Sequence, residues 1–86
     1  MIEKIQRLIT ENVRKLRRKH GNKQVELASA LGVNRSFIAE VESFRRAYNI
    51  AHLNKIAKHY ACRLYDIIPE YPVDDDNPEI VVTLEK

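Results

Sequence analysis

The side chains from Arg35 to Glu40 have types and spacing suited to contact with nucleic acid. Arg35 can donate two hydrogen bonds to O6 and N7 of a guanine, or bind a phosphate instead, while the hydroxyl of Ser36 does not select one base. Phe37 can contact a thymine methyl group, or it can pack over its own helix toward the following loop. Glu40 can accept from cytosine N4, orient Arg35, or repel phosphates at wrong sites. These four residues are the base-reading candidates.

Two short helices joined by a tight turn are predicted to position these side chains. Gly32 follows the first helix where a backbone needs a positive φ angle, which glycine adopts without steric cost. Asn34 then offers a side-chain oxygen to cap the second helix. The residues expected to face inward on the two helices are Leu27, Ala28, Leu31, Ile38 and Val41. In a helix-turn-helix, the second helix enters the DNA major groove and reads bases near its N-terminus.

This segment resembles the helix-turn-helix of the lambda-repressor-like superfamily, also called the Cro or XRE family. The matching residues are Gln24, Leu27, Ala28, Leu31, Gly32, Val33, Ile38, Val41 and Glu42. Together with its flanks, the resemblance covers roughly residues 5–69. The segments 35–38 and 49–50 are similar to those of restriction–modification controller proteins. The resemblance implies an all-α, five-helix domain at residues 1–69 that binds double-stranded DNA. It also implies a homodimer on a roughly palindromic operator, acting as a transcriptional regulator and most simply as a repressor.

The resemblance also assigns roles to individual residues. It places Gln24 at the start of the second helix, against a phosphate, and the loop after the third helix along the DNA backbone. The phosphate candidates are Gln24, Asn34, Ser43, Arg45 and Arg46. A buried ion pair between Arg17 and Glu42 is expected to hold the first helix to the third. The sequence departs from the family at Phe44, where glycine is often found.

The periodicity predicts helices over about 3–19, 24–31, 35–42, 50–60 and 64–68, the last ending at Pro69. In the fourth helix, Ile50 is expected to point inward. The basic run 14–19 is interpreted chiefly as a solvated face.

Charge divides the chain into a basic body and an acidic tail. Residues 1–68 hold fourteen Lys and Arg against six Asp and Glu, a net charge of +8, and residues 69–86 have a net charge of −5. A basic body suits a phosphate backbone. Residues 70–86 are predicted to be an acidic linker and extended tail, with a period-two segment from Ile80 to Leu84 that is a candidate short strand. This tail is either disordered, a dimer contact or a contact for a protein partner. If the tail contacts a protein partner, the alternative function is that of an antitoxin, which binds a toxin through its tail.

The sequence contains few features typical of enzymes, metal-binding proteins or membrane proteins. No nucleophile–base pair or phosphate-gripping glycine loop is present, so we expect no enzyme, no catalytic residues and no cofactor. His59 and Cys62 have zinc-ligand spacing but no further cysteine to complete a site, so no metal is expected. There is no long apolar run for a membrane span and no signal peptide, and the single cysteine fits a reducing cytoplasm.

Overall fold

The computed structural model describes residues 2–74, which form four α-helices and a 3-10 turn. In chain order they are α1 (Lys4–Lys19), α2 (Gln24–Leu31), α3 (Arg35–Glu42), α4 (Ile50–His59) and the 3-10 turn (Leu64–Asp66). The all-α class and the bounds of α2 and α3 match the prediction. The candidate strand at 80–84 lies outside the described residues. No helix within 2–74 has the length and apolar character needed to cross a membrane.

The prediction of a fifth α-helix is wrong. Only a three-residue 3-10 turn forms, in which an Asp66 carboxylate oxygen accepts the backbone N–H of Arg63 at 2.9 Å. Pro69 disfavours the helical conformation at Ile68. Too few residues therefore remain after Arg63 to nucleate and extend an α-helix.

One apolar core joins the elements. α2 packs against α3 and α4, α1 packs against α3, and the 3-10 turn packs against α4. The buried apolar residues are Val13, Leu27, Ala28, Leu31, Ile38, Val41, Tyr48, Leu53, Ile56, Ala57, Tyr60 and Ile67. Ile50, the first residue of α4, is 68% exposed, contrary to the prediction that it points inward. The amide of Asn12 fixes the C-terminal turn to α1 by donating to the Ile67 carbonyl at 2.8 Å.

Each of the four α-helices of the described chain ends in the same backbone geometry. The first or second residue after each helix is left-handed, with φ of 68° at Gly21, 72° at Gly32, 65° at Phe44 and 51° at Ala61. Its N–H bonds to the carbonyl three residues earlier, and the next N–H bonds to the carbonyl five residues before it. This is the Schellman motif. Glycine adopts the geometry freely, whereas Phe44 and Ala61 do so at a cost of about 1–2 kcal/mol each.

Candidate nucleic-acid interface

The first turn of α3 is fixed by a local hydrogen-bond network. Asn34 Oδ1 accepts the backbone N–H of Phe37 at 3.0 Å and the hydroxyl of Ser36 at 2.6 Å. This oxygen satisfies one of the free backbone donors at the start of the helix. The amide nitrogen of Asn34 is not used by either bond, and the Ser36 oxygen keeps its capacity to accept. Both exposed residues therefore retain groups that suit a polar ligand.

Arg35 is the free cation at this helix start. Its side chain is exposed, and it makes no hydrogen bond, ion pair or ring contact with any other residue within 2–74. On the opposite face of α3, Ile38 and Val41 are fully buried. The helix thus presents the guanidinium to solvent while its inner face is fixed in the core. All five N–H donors of Arg35 are available to a base edge or a phosphate.

Phe37 and Glu40 are both turned toward the loop that follows α3. The Phe37 ring lies 5.0 Å from the His52 ring and 6.3 Å from the Tyr48 ring, between centroids. Of the two placements considered from the sequence, this is packing toward the loop. Glu40 Oε1 lies 3.9 Å from Nη1 of Arg46, not beside Arg35. The four base-reading candidates therefore form two pairs. Arg35 and Ser36 are exposed, whereas Phe37 and Glu40 contact side chains of the loop after α3.

A buried charge network joins α1 to the end of α3. Arg17 donates to both oxygens of Glu42, from Nε at 2.8 Å and from Nη2 at 2.9 Å, and its Nη1 donates to the Asn22 carbonyl. The side chains are only 12% and 6% exposed. Arg14 adds a hydrogen bond to the backbone carbonyl of Glu42. The paired residues are thus in bidentate contact, and they link α1 to the last residue of α3.

Gln24 belongs to the same network. Its amide donates to Glu42 Oε1 at 3.0 Å, which still leaves one amide hydrogen and the amide oxygen at the N-terminus of α2. Burial raises the pKa of Glu42, but hydrogen bonds from Arg17 and Gln24 and the charges of Arg17 and Arg14 outweigh burial. The pKa of Glu42 therefore lies below its ordinary value of 4.5, and the carboxylate is ionised at neutral pH.

A family model for the helix-turn-helix matches residues 13–67 of this chain. The chain belongs to the helix-turn-helix family, of the Cro/XRE type. No curated protein matches it at a significant level.

Solved structures share the fold. A hypothetical transcription factor, NHTF, from Neisseria is 25% identical, with a TM-score of 0.67 over 74% of each chain. The restriction–modification controller protein C.AhdI from Aeromonas hydrophila is 25% identical, with a TM-score of 0.63 over 70% of this chain and 87% of its own. The c2 repressor of P22, solved with a synthetic operator, is 24% identical, with a TM-score of 0.63 over 72% and 94%. That last likeness shows the fold alone.

The loop after the second helix of the helix-turn-helix brings together the remaining phosphate candidates. Ser43 ends α3, and its hydroxyl donates to the Glu40 carbonyl at 3.0 Å. Arg45 and Arg46 are both exposed. The Arg45 side chain has no partner within the described chain, whereas the Arg46 side chain contacts α3. Gln24, Asn34 and these loop residues therefore flank α3 at its two ends.

Phe44 holds this loop to α1 in place of the glycine often found there. Its ring lies 4.5 Å from the guanidinium carbon of Arg7 and 5.6 Å from that of Arg14. These are cation–π distances, and each such contact is worth about 0.5–1 kcal/mol at an exposed site. The ring contacts thus offset part of the strain of the left-handed backbone.

Two supporting residues of the helix-turn-helix were missed from the sequence. Arg14 is not simply a solvated charge, since it binds the end of α3; its spacing of three from Arg17 places both on one face of α1 and could have indicated this. His52 Nδ1 accepts the N–H of Asn49 at 3.1 Å, and its ring supports Phe37. Burial, then the charges of Lys55 and Arg46, lower the pKa of His52 and favour this neutral, accepting form.

Proposed function

We propose that this protein is a transcriptional regulator that binds specific sequences of double-stranded DNA and acts as a repressor. The observation that carries the proposal is the free, exposed guanidinium of Arg35 at the start of a helix whose other face is buried. In a helix-turn-helix this position meets base edges in the major groove. The similarity to a transcription factor and to a controller protein supports the same reading.

Contacts to the DNA backbone would set the position of α3 in the groove. We assign them to both ends of the helix. The amide of Asn34 lies at its N-terminus, whereas Ser43, Arg45 and Arg46 follow its C-terminus. The amide of Gln24, at the start of α2, also lies at the C-terminal end, where it contacts Glu42. Such contacts fix register without carrying sequence information. Arg35 and Ser36 would then read the bases, with Arg35 bidentate to a guanine.

We further propose that the protein binds as a homodimer to a roughly palindromic operator. Two copies related by a twofold axis would place their α3 helices about 34 Å apart, one turn of DNA. Repression would follow where this operator overlaps a promoter. Sedimentation of the protein alone and with a duplex carrying one or two half-sites measures the stoichiometry, and a single bound copy on the full site would contradict the dimer.

Selection of bound duplexes from a random pool tests DNA recognition directly. We expect an enriched site with twofold symmetry, and a loss of about 1–3 kcal/mol in binding per half-site for Arg35→Ala. Gln24→Ala should weaken binding to all sequences. Arg63→Ala is the matched control, because this exposed arginine lies at the C-terminal turn that packs on α4. If Arg35→Ala and Gln24→Ala both bind as well as the parent protein, the proposal fails.

Transcription of a template that carries the selected site at its promoter tests the sign of regulation. Added protein should lower the yield of transcript, with half of the effect at the concentration that occupies half of the sites. An increase in transcript would contradict repression but not DNA binding.

A further inference from the structure

The guanidinium of Arg46 lies against the side of α3. Its central carbon is 4.8 Å from the centroid of the Phe37 ring, and Nη1 is 3.9 Å from Oε1 of Glu40. Phe37 and Glu40 are three residues apart on α3, so they form adjacent sites on one helix face. A cation from the loop therefore contacts an aromatic face and a carboxylate of the same helix at once.

The surface beneath Arg46 is itself supported. Phe37 is packed against the core, and its ring contacts His52 and the buried Tyr48. The arginine remains 55% exposed, so it is oriented without being removed from solvent. A single contact at Nη1 leaves further N–H donors of the planar guanidinium available.

We propose that Phe37 and Glu40 are positioning residues that hold Arg46 for contact with a DNA phosphate, and that neither of them reads a base. This inference rests on the proposed DNA binding. An arginine that is already oriented loses less side-chain freedom when it binds, and a planar guanidinium suits bidentate contact with phosphate. Arg45, the neighbouring exposed arginine, has no such support within the described chain.

The sign of the Glu40→Gln effect separates this role from its alternatives. A carboxylate beside DNA repels phosphates, so its removal alone should strengthen binding. If Glu40 orients Arg46, the same change should weaken binding, although the protein becomes more positive. A carboxylate that accepts from a base would also weaken binding when lost, but independently of Arg46.

The experiment measures the affinity of the full chain for a duplex selected from a random pool by the parent protein. Glu40→Gln and Phe37→Leu are each made in the parent, in Arg46→Ala and in Arg45→Ala. In the parent and in Arg45→Ala, we expect each change to weaken binding two- to fivefold per half-site. In Arg46→Ala, we expect Phe37→Leu to have no further effect and Glu40→Gln to strengthen binding. Thermal unfolding of every variant confirms that the fold is retained.

A salt titration adds a readout that a purely structural role would not change. Arg46→Ala should reduce the slope of log affinity against log salt by about one phosphate contact. Equal losses from Glu40→Gln with and without Arg46, or a change of preferred base in either positioning variant, would overturn the proposal. If the parent protein selects no duplex, DNA binding itself fails; if Arg35→Ala abolishes binding while Arg46→Ala does nothing, only this inference fails.

Discussion

The Arg17–Glu42 contact predicts strong coupling between two single substitutions. The pair is bidentate at 2.8 and 2.9 Å, with side chains 12% and 6% exposed. Two unit charges about 4 Å apart attract by about 4 kcal/mol at an effective dielectric constant of 20. Arg17→Met leaves a buried carboxylate with a hydrogen bond from Gln24 and the Arg14 guanidinium 3.8 Å away. Glu42→Leu leaves the largely buried guanidinium of Arg17 without a carboxylate. Each single change should therefore cost about 3–5 kcal/mol of unfolding free energy.

The double variant Arg17→Met/Glu42→Leu should cost less than either single variant, because both largely buried charges are removed and apolar side chains of similar volume fill the site. Arg14 remains, but its side chain is 27% exposed and it keeps its hydrogen bond to the backbone carbonyl of residue 42. We expect a coupling of about 3 kcal/mol or more. A domain of this length has a stability on the order of 4–13 kcal/mol, so a single variant can lose most of it. The cycle is therefore best measured at neutral pH by urea unfolding, monitored by circular dichroism, in an Ala61→Gly background, which we expect to be more stable.

The exposed pair Arg63–Asp66 is the control for this cycle. Its atoms are 3.5 Å apart, but the side chains are 75% and 40% exposed, so solvent screens the interaction and coupling should be near the error of measurement. If the Arg17 and Glu42 effects are additive to within about 0.5 kcal/mol, as expected of independent sites, the ion pair does not hold α1 to α3 and our reasoning is refuted.

Four further predictions concern the helix ends and the titration of Glu42. Ala61→Gly should raise the unfolding free energy by about 0.5–1 kcal/mol, because glycine adopts the positive φ angle at this position without strain. Gly32→Ala should lower the unfolding free energy by about 1 kcal/mol through backbone strain alone, since the added Cβ would meet nothing within 4 Å. Urea unfolding measures both changes, and a loss of stability in Ala61→Gly would contradict the first prediction. Phe44→Ala keeps the strain and loses the ring, whereas Phe44→Gly loses both, so the alanine variant should be the less stable by about 1 kcal/mol; equal stabilities would show that strain is small at this site. The lowered pKa of Glu42 stabilises the folded state above its unfolded pKa, near 4.5, and this contribution disappears as pH falls through the lower folded pKa. The stability advantage of the parent over Glu42→Gln should therefore be full above about pH 4.5 and shrink below it in a urea series across pH; an advantage that grows on acidification would contradict the assignment.

The helix-turn-helix could be predicted from sequence because its signals are local. Gly32 and Asn34 mark the end of one helix and the start of the next, and the bounds of α2 and α3 agree with the structure. The final helix could not be predicted in the same way. Its apolar residues suit a helix, but whether so short a segment adopts an α-helix or a 3-10 turn depends on Pro69 and on the docking of Ile67 against Asn12.

The side chains on the outer face of α3 show where local signals end. Arg35 could be placed from its position alone because nothing competes for it. The contacts of Phe37 and Glu40 could not, since both side chains meet Arg46, which lies in a loop that follows the left-handed Phe44. These contacts join residues six to nine positions apart across a turn. Helical periodicity does not predict the geometry of such a turn, so the contacts could not be inferred from it.

The strained exit of α3 has a consequence for how this sequence can diverge. At Phe44, the backbone geometry is one that glycine would adopt unaided, and the ring contacts with Arg7 and Arg14 on α1 compensate for it. A relative with glycine at this position needs neither arginine for that purpose, and one that keeps a large aromatic residue needs a cation to cover it. We therefore expect positions 7, 14 and 44 to change together among relatives. In aligned relatives, we expect arginine or lysine at positions 7 and 14 where position 44 is aromatic, and other residue types there where position 44 is glycine.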